Sequence, residues 1–243
     1  MSSTRNRWGI LILALAALAA GCDEPGDVTS ETRTVALEGA SRAEVALAMG
    51  AGELRVVGAE QEALLEGSFE YNRERLRPEV EYRRFEDRGI LRVRHARRTG
   101  IPIGRVHNIW ELHLGAGVPL ELDIDLGAGR SDIDLRNLDL RRLDIDMGVG
   151  EVLLDLRGRH KESFRVKIDG GIGSGRLRLP SEVGVRVRVD GGLGSVDAHG
   201  MTKQAGAWVN EAYGSSPVSI EIDIDAGIGS IDLRCEAPDR LKI

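Results

Sequence analysis

Five aspartates recur at one fixed distance from a Gly-x-Gly, and no other residues in this chain are so regularly placed to do chemistry. They are Asp125, Asp146, Asp169, Asp190 and Asp225, each two places before the first glycine of its copy: Gly127, Gly148, Gly171, Gly192 and Gly227. Stacked as parallel strands, the carboxylates would stand about 4.8 Å apart. Neighbours at that spacing repel by about 1 kcal/mol in water and by roughly 3 to 4 kcal/mol at an effective dielectric near 20. A bare row is therefore costly, and three offsets are open. Each aspartate can close an Asx-turn onto its own glycine amide two residues on. Cations from the neighbouring column, Lys167 and Arg188, can interleave. Calcium can bind between rungs, taking oxygen ligands from Asp125, Asp146, Asp169 and Asp190.

Other chemistries find less support. Gly171-Ile-Gly173-Ser-Gly175 is not G-x-G-x-x-G and opens no helical pattern, which argues against a phosphate cradle. Gly191-Gly192-Leu-Gly194-Ser-Val196-Asp197 approaches the calcium nonapeptide G-G-x-G-x-D, but its acid comes one residue late and so faces the other way. Acid pairs such as Asp132 with Asp134 and Asp144 with Asp146 repeat along the chain instead of clustering once. The five histidines show no metal-ligand spacing. A polysaccharide-active groove also wants stacking aromatics, which are few here. We therefore expect no enzyme and no cofactor beyond the calcium alternative.

The elements that must carry these aspartates are strands. With the copies aligned on the first glycine, the third place before it holds Ile124, Ile145, Ile168, Val189 and Ile224. The fifth place before holds Leu122, Leu143, Val166, Val187 and Ile222. One place after come Ala128, Val149, Ile172, Leu193 and Ile228, and six places after come Ile133, Leu154, Leu177, Ala198 and Leu233. All four columns read as core. The middle copies are spaced 21 to 23 residues apart, a period of solenoid repeats. The glycines supply positive φ at a sharp bend and let adjacent rungs approach. The last interval, Gly192 to Gly227, is longer and carries Trp208, Asn210 and Tyr213, a length used for functional or capping loops.

An early copy lies at Val45 to Val56, and the coil proper begins at Trp110. Between them, Leu64 to Asn108 alternates with period two and has turns at Arg77-Pro78 and Asp87-Arg-Gly89, predicting short antiparallel strands that cap the first turn. This region is rich in arginine. Arg92 to Arg105 contains no acid, and Arg94, Arg97 and Arg98 are candidates for contact with anionic lipid or an acidic polymer.

A net charge of -6 with mixed signs gives no basis for nucleic-acid binding. Scarce aromatics and 31 glycines suit thin stacked strands filled by Val, Ile and Leu. Residues 1–21 have Arg5 and Arg7, an apolar run from Trp8 to Leu18 too short to span a bilayer, and Ala19-Ala20-Gly21 before Cys22. This leader resembles a bacterial lipoprotein signal peptide, which implies lipidation of Cys22 and leaves Cys235 without a partner in the chain. Asp23 resembles an inner-membrane retention signal of enteric bacteria, and inner against outer membrane stays open.

Val45 to Gly58, Leu64 to Asn72, Pro78-Glu-Val80, Trp110-Glu-Leu112 and the Gly-Ala-Gly copies resemble the toast-rack domain over roughly Val35 to Arg234. Its relatives include LiaF-type cell-wall-active antibiotic response proteins and adhesin-like β-helix proteins. The resemblance implies a parallel β-solenoid in the cell envelope and carries no catalytic residues across. LiaF-type members have transmembrane helices, where this chain substitutes a lipid anchor.

The expectations are these. The fold is all-β, a single right-handed parallel β-solenoid with an N-terminal antiparallel cap. Residues 1–21 are leader, 22–34 a tether, 35–109 the cap region, 110–235 the solenoid repeats and 236–243 a tail. The protein is a non-enzymatic, lipid-anchored envelope protein on the extracytoplasmic face, in stress response or adhesion. Its partners are the membrane and an envelope protein or cell-wall polymer. Contact residues are Trp208, Asn210, Tyr213, Arg94, Arg97 and Arg98.

Overall fold

The computed structural model describes residues 26–95 and 106–237, apart from the side chains of residues 192 and 193. Period-two alternation becomes strand throughout. In β7 (Leu120–Asp134), Leu120, Leu122, Ile124 and Leu126 are buried while Glu121 and Asp125 face solvent. Five more strands share this design: β2 (Arg42–Ala59), β8 (Leu140–Asp155), β9 (Phe164–Pro180), β10 (Gly184–His199) and β13 (Ser219–Glu236). Each runs through a Gly-x-Gly that divides it into a first and a second arm. All six pair in parallel and in register, so Leu47, Ile124, Ile145, Ile168, Ile224 and Val189 form one row through the interior.

That row departs from chain order. The ladder runs β2-β7-β8-β9-β13-β10, with the last rung inserted between β9 and β10. The long final interval makes this possible. After β10 the chain forms a hairpin, β11 (Thr202–Gln204) with β12 (Ala207–Val209). β12 pairs antiparallel with the outer edge of β10, Arg186 against Val209. The chain then returns to occupy the slot behind.

The 13-stranded sheet is mixed, with antiparallel strands on the N-terminal side, where a cap was expected, and again at β11 and β12, where none was. On the far side of β2, one rung is supplied in two pieces. β5 (Arg88–His95) pairs with the first arm of β2 and β6 (Asn108–Gly115) with its second arm, both parallel. β4 (Pro78–Phe85) adds antiparallel to β5. β3 (Ala63–Tyr71) adds antiparallel to β6, and β1 (Thr29–Ala36) to β3. The copy at Trp110 is therefore half a rung: Trp110 aligns with Leu54 of the second arm, and β6 ends at Gly115 without a Gly-x-Gly bend.

The bend explains a further correction. Val149, Ile172 and Ile228, expected inside, are each 52% exposed and form an apolar ridge in register along the bend. They share the parity of the buried first-arm positions, but burial resumes out of phase in the second arm, at Ser131 and Ile133. The phase changes within the Gly-x-Gly, so simple alternation fails there. The bend also requires close approach. A Cβ on Gly150, at φ +152, would lie 1.8 Å from the Gly129 carbonyl oxygen of the preceding rung.

Candidate functional site

The aspartate column is real and continuous: Asp125, Asp146, Asp169, Asp225 and Asp190 stand side by side on the outer face of the first arm. Cations from the adjacent column interleave with it. Lys167 Nζ lies 2.5 Å from Asp169, and Arg188 Nε lies 3.1 Å from both Asp190 and Asp223. Burial, then repulsion and a hydrogen bond from Asp169, push the Asp146 carboxyl above its ordinary value, against the pull of Lys167. Asx-turns, one of the three offsets open to this column, stand at the exits of β7 and β8. There Asp134 Oδ1 accepts from the Arg136 amide at 3.2 Å and Asp155 Oδ1 from the Arg157 amide at 3.0 Å. Among the described residues, no group of three or more His, Cys, Asp or Glu side chains converges to hold a metal ion.

The aromatic and amide residues of the long interval are tied into the fold by contacts within the chain. Asn210 is buried; its Oδ1 accepts from the Val185 amide at 2.9 Å, and its Nδ2 donates to the Val183 and Pro180 carbonyls at 2.8 and 3.3 Å. It locks the return loop onto the start of β10. Trp208, half-buried, packs on the core with the Lys203 ammonium 5.5 Å from its ring centre. Tyr213 donates to Glu221 at 2.8 Å. Arg94 lies on β5 between Glu79 and Glu81 of β4, at 3.2 and 3.0 Å. Cys22, Arg97 and Arg98 lie outside the described residues.

Two further clusters stand out, one with no signal in the sequence and one that includes the repeated acid pair Asp132 and Asp134. His95 and Asn108 end the two pieces of the split rung, where Asn108 Nδ2 donates to the Ala51 carbonyl at 2.5 Å and stands 3.1 Å from His95 Nε2. The Trp110 ring meets His95 edge-on at 5.1 Å. Burial pulls the imidazole down to about 4, opposed by the Asn108 bond. Their spacing in the chain is not periodic, so only the fold brings them together.

The second cluster lines a cleft of about 260 Å³ at the strand exits of β7, β8 and β9. Arg136 grips Asp134 through Nε and Nη2 at 2.9 and 2.6 Å. Burial pushes Asp134 up, but the Arg136 bonds outweigh it and hold the carboxyl below its ordinary value. Arg157, only 3% exposed, grips Asp155 through Nε and Nη2 at 3.0 and 2.7 Å and reaches Glu236 at 3.4 Å. Asp134-Leu-Arg136 and Asp155-Leu-Arg157 are visible as a repeat once the exits are known. The arrangement presents fixed charges of both signs.

A sequence profile for the N-terminal domain of toast_rack, DUF2154, matches residues 24–178. No curated protein matches the chain. Among solved structures, a candidate cell adhesion protein from Clostridium sporogenes is 31% identical with a TM-score of 0.82, over 86% of this chain and 100% of that one. A candidate adhesin from Bacteroides fragilis aligns at 7% identity and a TM-score of 0.29, over 85% of this chain and 96% of that one.

Proposed function

Because the chain belongs to the toast-rack family, we propose that it is a non-catalytic protein of the cell envelope whose stacked rungs present a binding surface, in adhesion or envelope stress response. The observation that carries this reading is the in-register ladder itself: its polar columns repeat from rung to rung on one rigid support. Such a surface suits recognition of an extended partner. The similarity to a candidate cell adhesion protein supports the same direction. A lipid on Cys22, followed by the tether, would hold the ladder outside the membrane. We infer a right-handed coil, the hand of nearly all parallel crossovers.

Crosslinking the full chain in native membranes and identifying its partners by mass spectrometry tests the reading. An envelope protein or wall polymer should be recovered with wild type, and Cys22→Ala should release the chain from the membrane fraction. Recovery of the full chain in the cytosolic fraction would refute the envelope assignment.

A further inference from the structure

One charged column on the outer face of the second arm is broken by an apolar residue. Leu153 of β8 stands in register with Arg55, Asp132, Arg176, Asp232 and Asp197. It lines the strand-exit cleft between Asp132 of β7 on one side and Arg176 and Arg178 of β9 on the other. Most of the remaining charge there is already committed, since Asp134 and Asp155 are each held by the arginine two residues on. Asp132, by contrast, makes no ion pair among the described residues. Among the described residues Arg178 reaches only Asp155, at 3.9 Å, and Arg176 keeps Asp232 at 3.1 Å through Nε.

The cleft thus offers an anion, an apolar floor and a pair of guanidiniums in sequence across the rungs. Two rung spacings place Asp132 and Arg176 about 9.6 Å apart at the backbone. A ligand that answers both ends therefore carries a cation and an anion joined by a short apolar linker that lies on Leu153. We propose that this cleft binds an aminoethyl phosphate group. Its ammonium donates to Asp132, its phosphate lies against Arg176 and Arg178, and its two methylenes cover Leu153. Guanidinium recognises phosphate through paired N–H donors. An α-amino acid holds its charges too close together, phosphate alone leaves Asp132 unanswered, and a quaternary choline has no N–H to give it. The assignment does not rest on the envelope reading.

The full chain in a maltoside detergent is titrated with O-phosphoethanolamine, read by calorimetry and by backbone amide NMR. Saturable binding should perturb the amides of Asp132, Leu153, Arg176 and Arg178. Phosphate, ethanolamine and phosphocholine should each bind about tenfold more weakly or worse, as should Asp132→Asn and Arg178→Gln toward the whole group, from the loss of one charged hydrogen bond. Unchanged melting temperatures should show that both variants stay folded. No saturation at millimolar ligand, or an Asp132→Asn variant that binds as wild type, overturns the proposal. Mixed micelles doped with phosphatidylethanolamine or phosphatidylcholine are then added as competitors. Competition by the first alone identifies a lipid headgroup, and competition by neither identifies a free or polymer-borne group. Equal competition by both removes the role of Asp132 and overturns the proposal.

Discussion

His95 sits against Trp110 at the end of β5, and its burial makes folding responsive to acid. Free imidazole titrates near 6.5, and the folded group is pulled down to about 4. Between those values the unfolded chain takes up a proton that the folded chain refuses. The stability at stake is therefore fully present above about pH 6.5, is lost as pH falls toward about 4, and is constant below that. The whole passage corresponds to about 3 kcal/mol at most. Asp146, whose carboxyl is raised by burial and by Asp169, has the opposite sign: it favours the folded state at low pH, and that contribution is lost as pH rises through its folded value. Comparing wild type with His95→Gln removes this background, because Asp146 is common to both. Urea melts at several values between pH 7 and pH 4 should show wild type losing stability faster than the variant. Parallel curves would place the proton uptake elsewhere.

At the scale of the strand, the Gly-x-Gly bend sets what each rung tolerates. Gly150 has φ +152 and a carbonyl oxygen 1.8 Å from where its Cβ would be, so Gly150→Ala should cost about 3 kcal/mol or more through strain and overpacking. Gly170, two places before Ile172, has nothing within 4 Å of its missing Cβ, beside a cavity of about 50 Å³ lined by Met147, Ile168 and Ala226. Gly170→Ala should therefore be neutral or stabilise by about 0.5 to 1 kcal/mol. Thermal melts of the two variants decide this, and equal losses would mean that the bend is not the constraint. The rows of Ile124 and Ile145 were legible in the sequence because period and glycine spacing agree on every rung. The column of Val149 and Ile172 was misplaced because alternation says nothing about where a bend changes phase. The order of the last two rungs was hidden for a simpler reason: Val187, Val189 and Asp190 match Ile222, Ile224 and Asp225 column for column. Either strand fits either slot. The aspartate column was legible for the same periodic reason. The column of Asp132, Leu153 and Arg176 follows the same period, each residue five places after its glycine, whereas His95 with Asn108 depends on which segments become neighbours.

For the molecule as a whole, inserting β13 between β9 and β10 decides which parts can open alone. In a stack where each rung contacts only its neighbours, stability is a sum over interfaces, and rungs paired on both sides open last. β8, β9 and β13 are paired along both edges through both arms. β10 is paired along one edge throughout, but β12 covers its other edge only at Arg186 and Val187. Among the described residues its second arm has no partner on that edge, and it is glycine-rich at the bend and charged at Asp197, features that discourage further strand pairing. At the opposite end, β1 and β4 each have one antiparallel neighbour among the described residues. Native-state hydrogen exchange should follow this order. The amides of Ile145, Ile168 and Ile224 should exchange only through global opening, with protection close to the full unfolding free energy. Amides of β1, β4 and residues 195–199 of β10 should exchange earlier through local opening. If residues 195–199 were as protected as Ile224, β10 would have to be covered by something more than β12, and the open edge would be ruled out. If β13 exchanged as early as β10, its place inside the ladder would be wrong, and the long return through β11 and β12 would have to end at the outer edge.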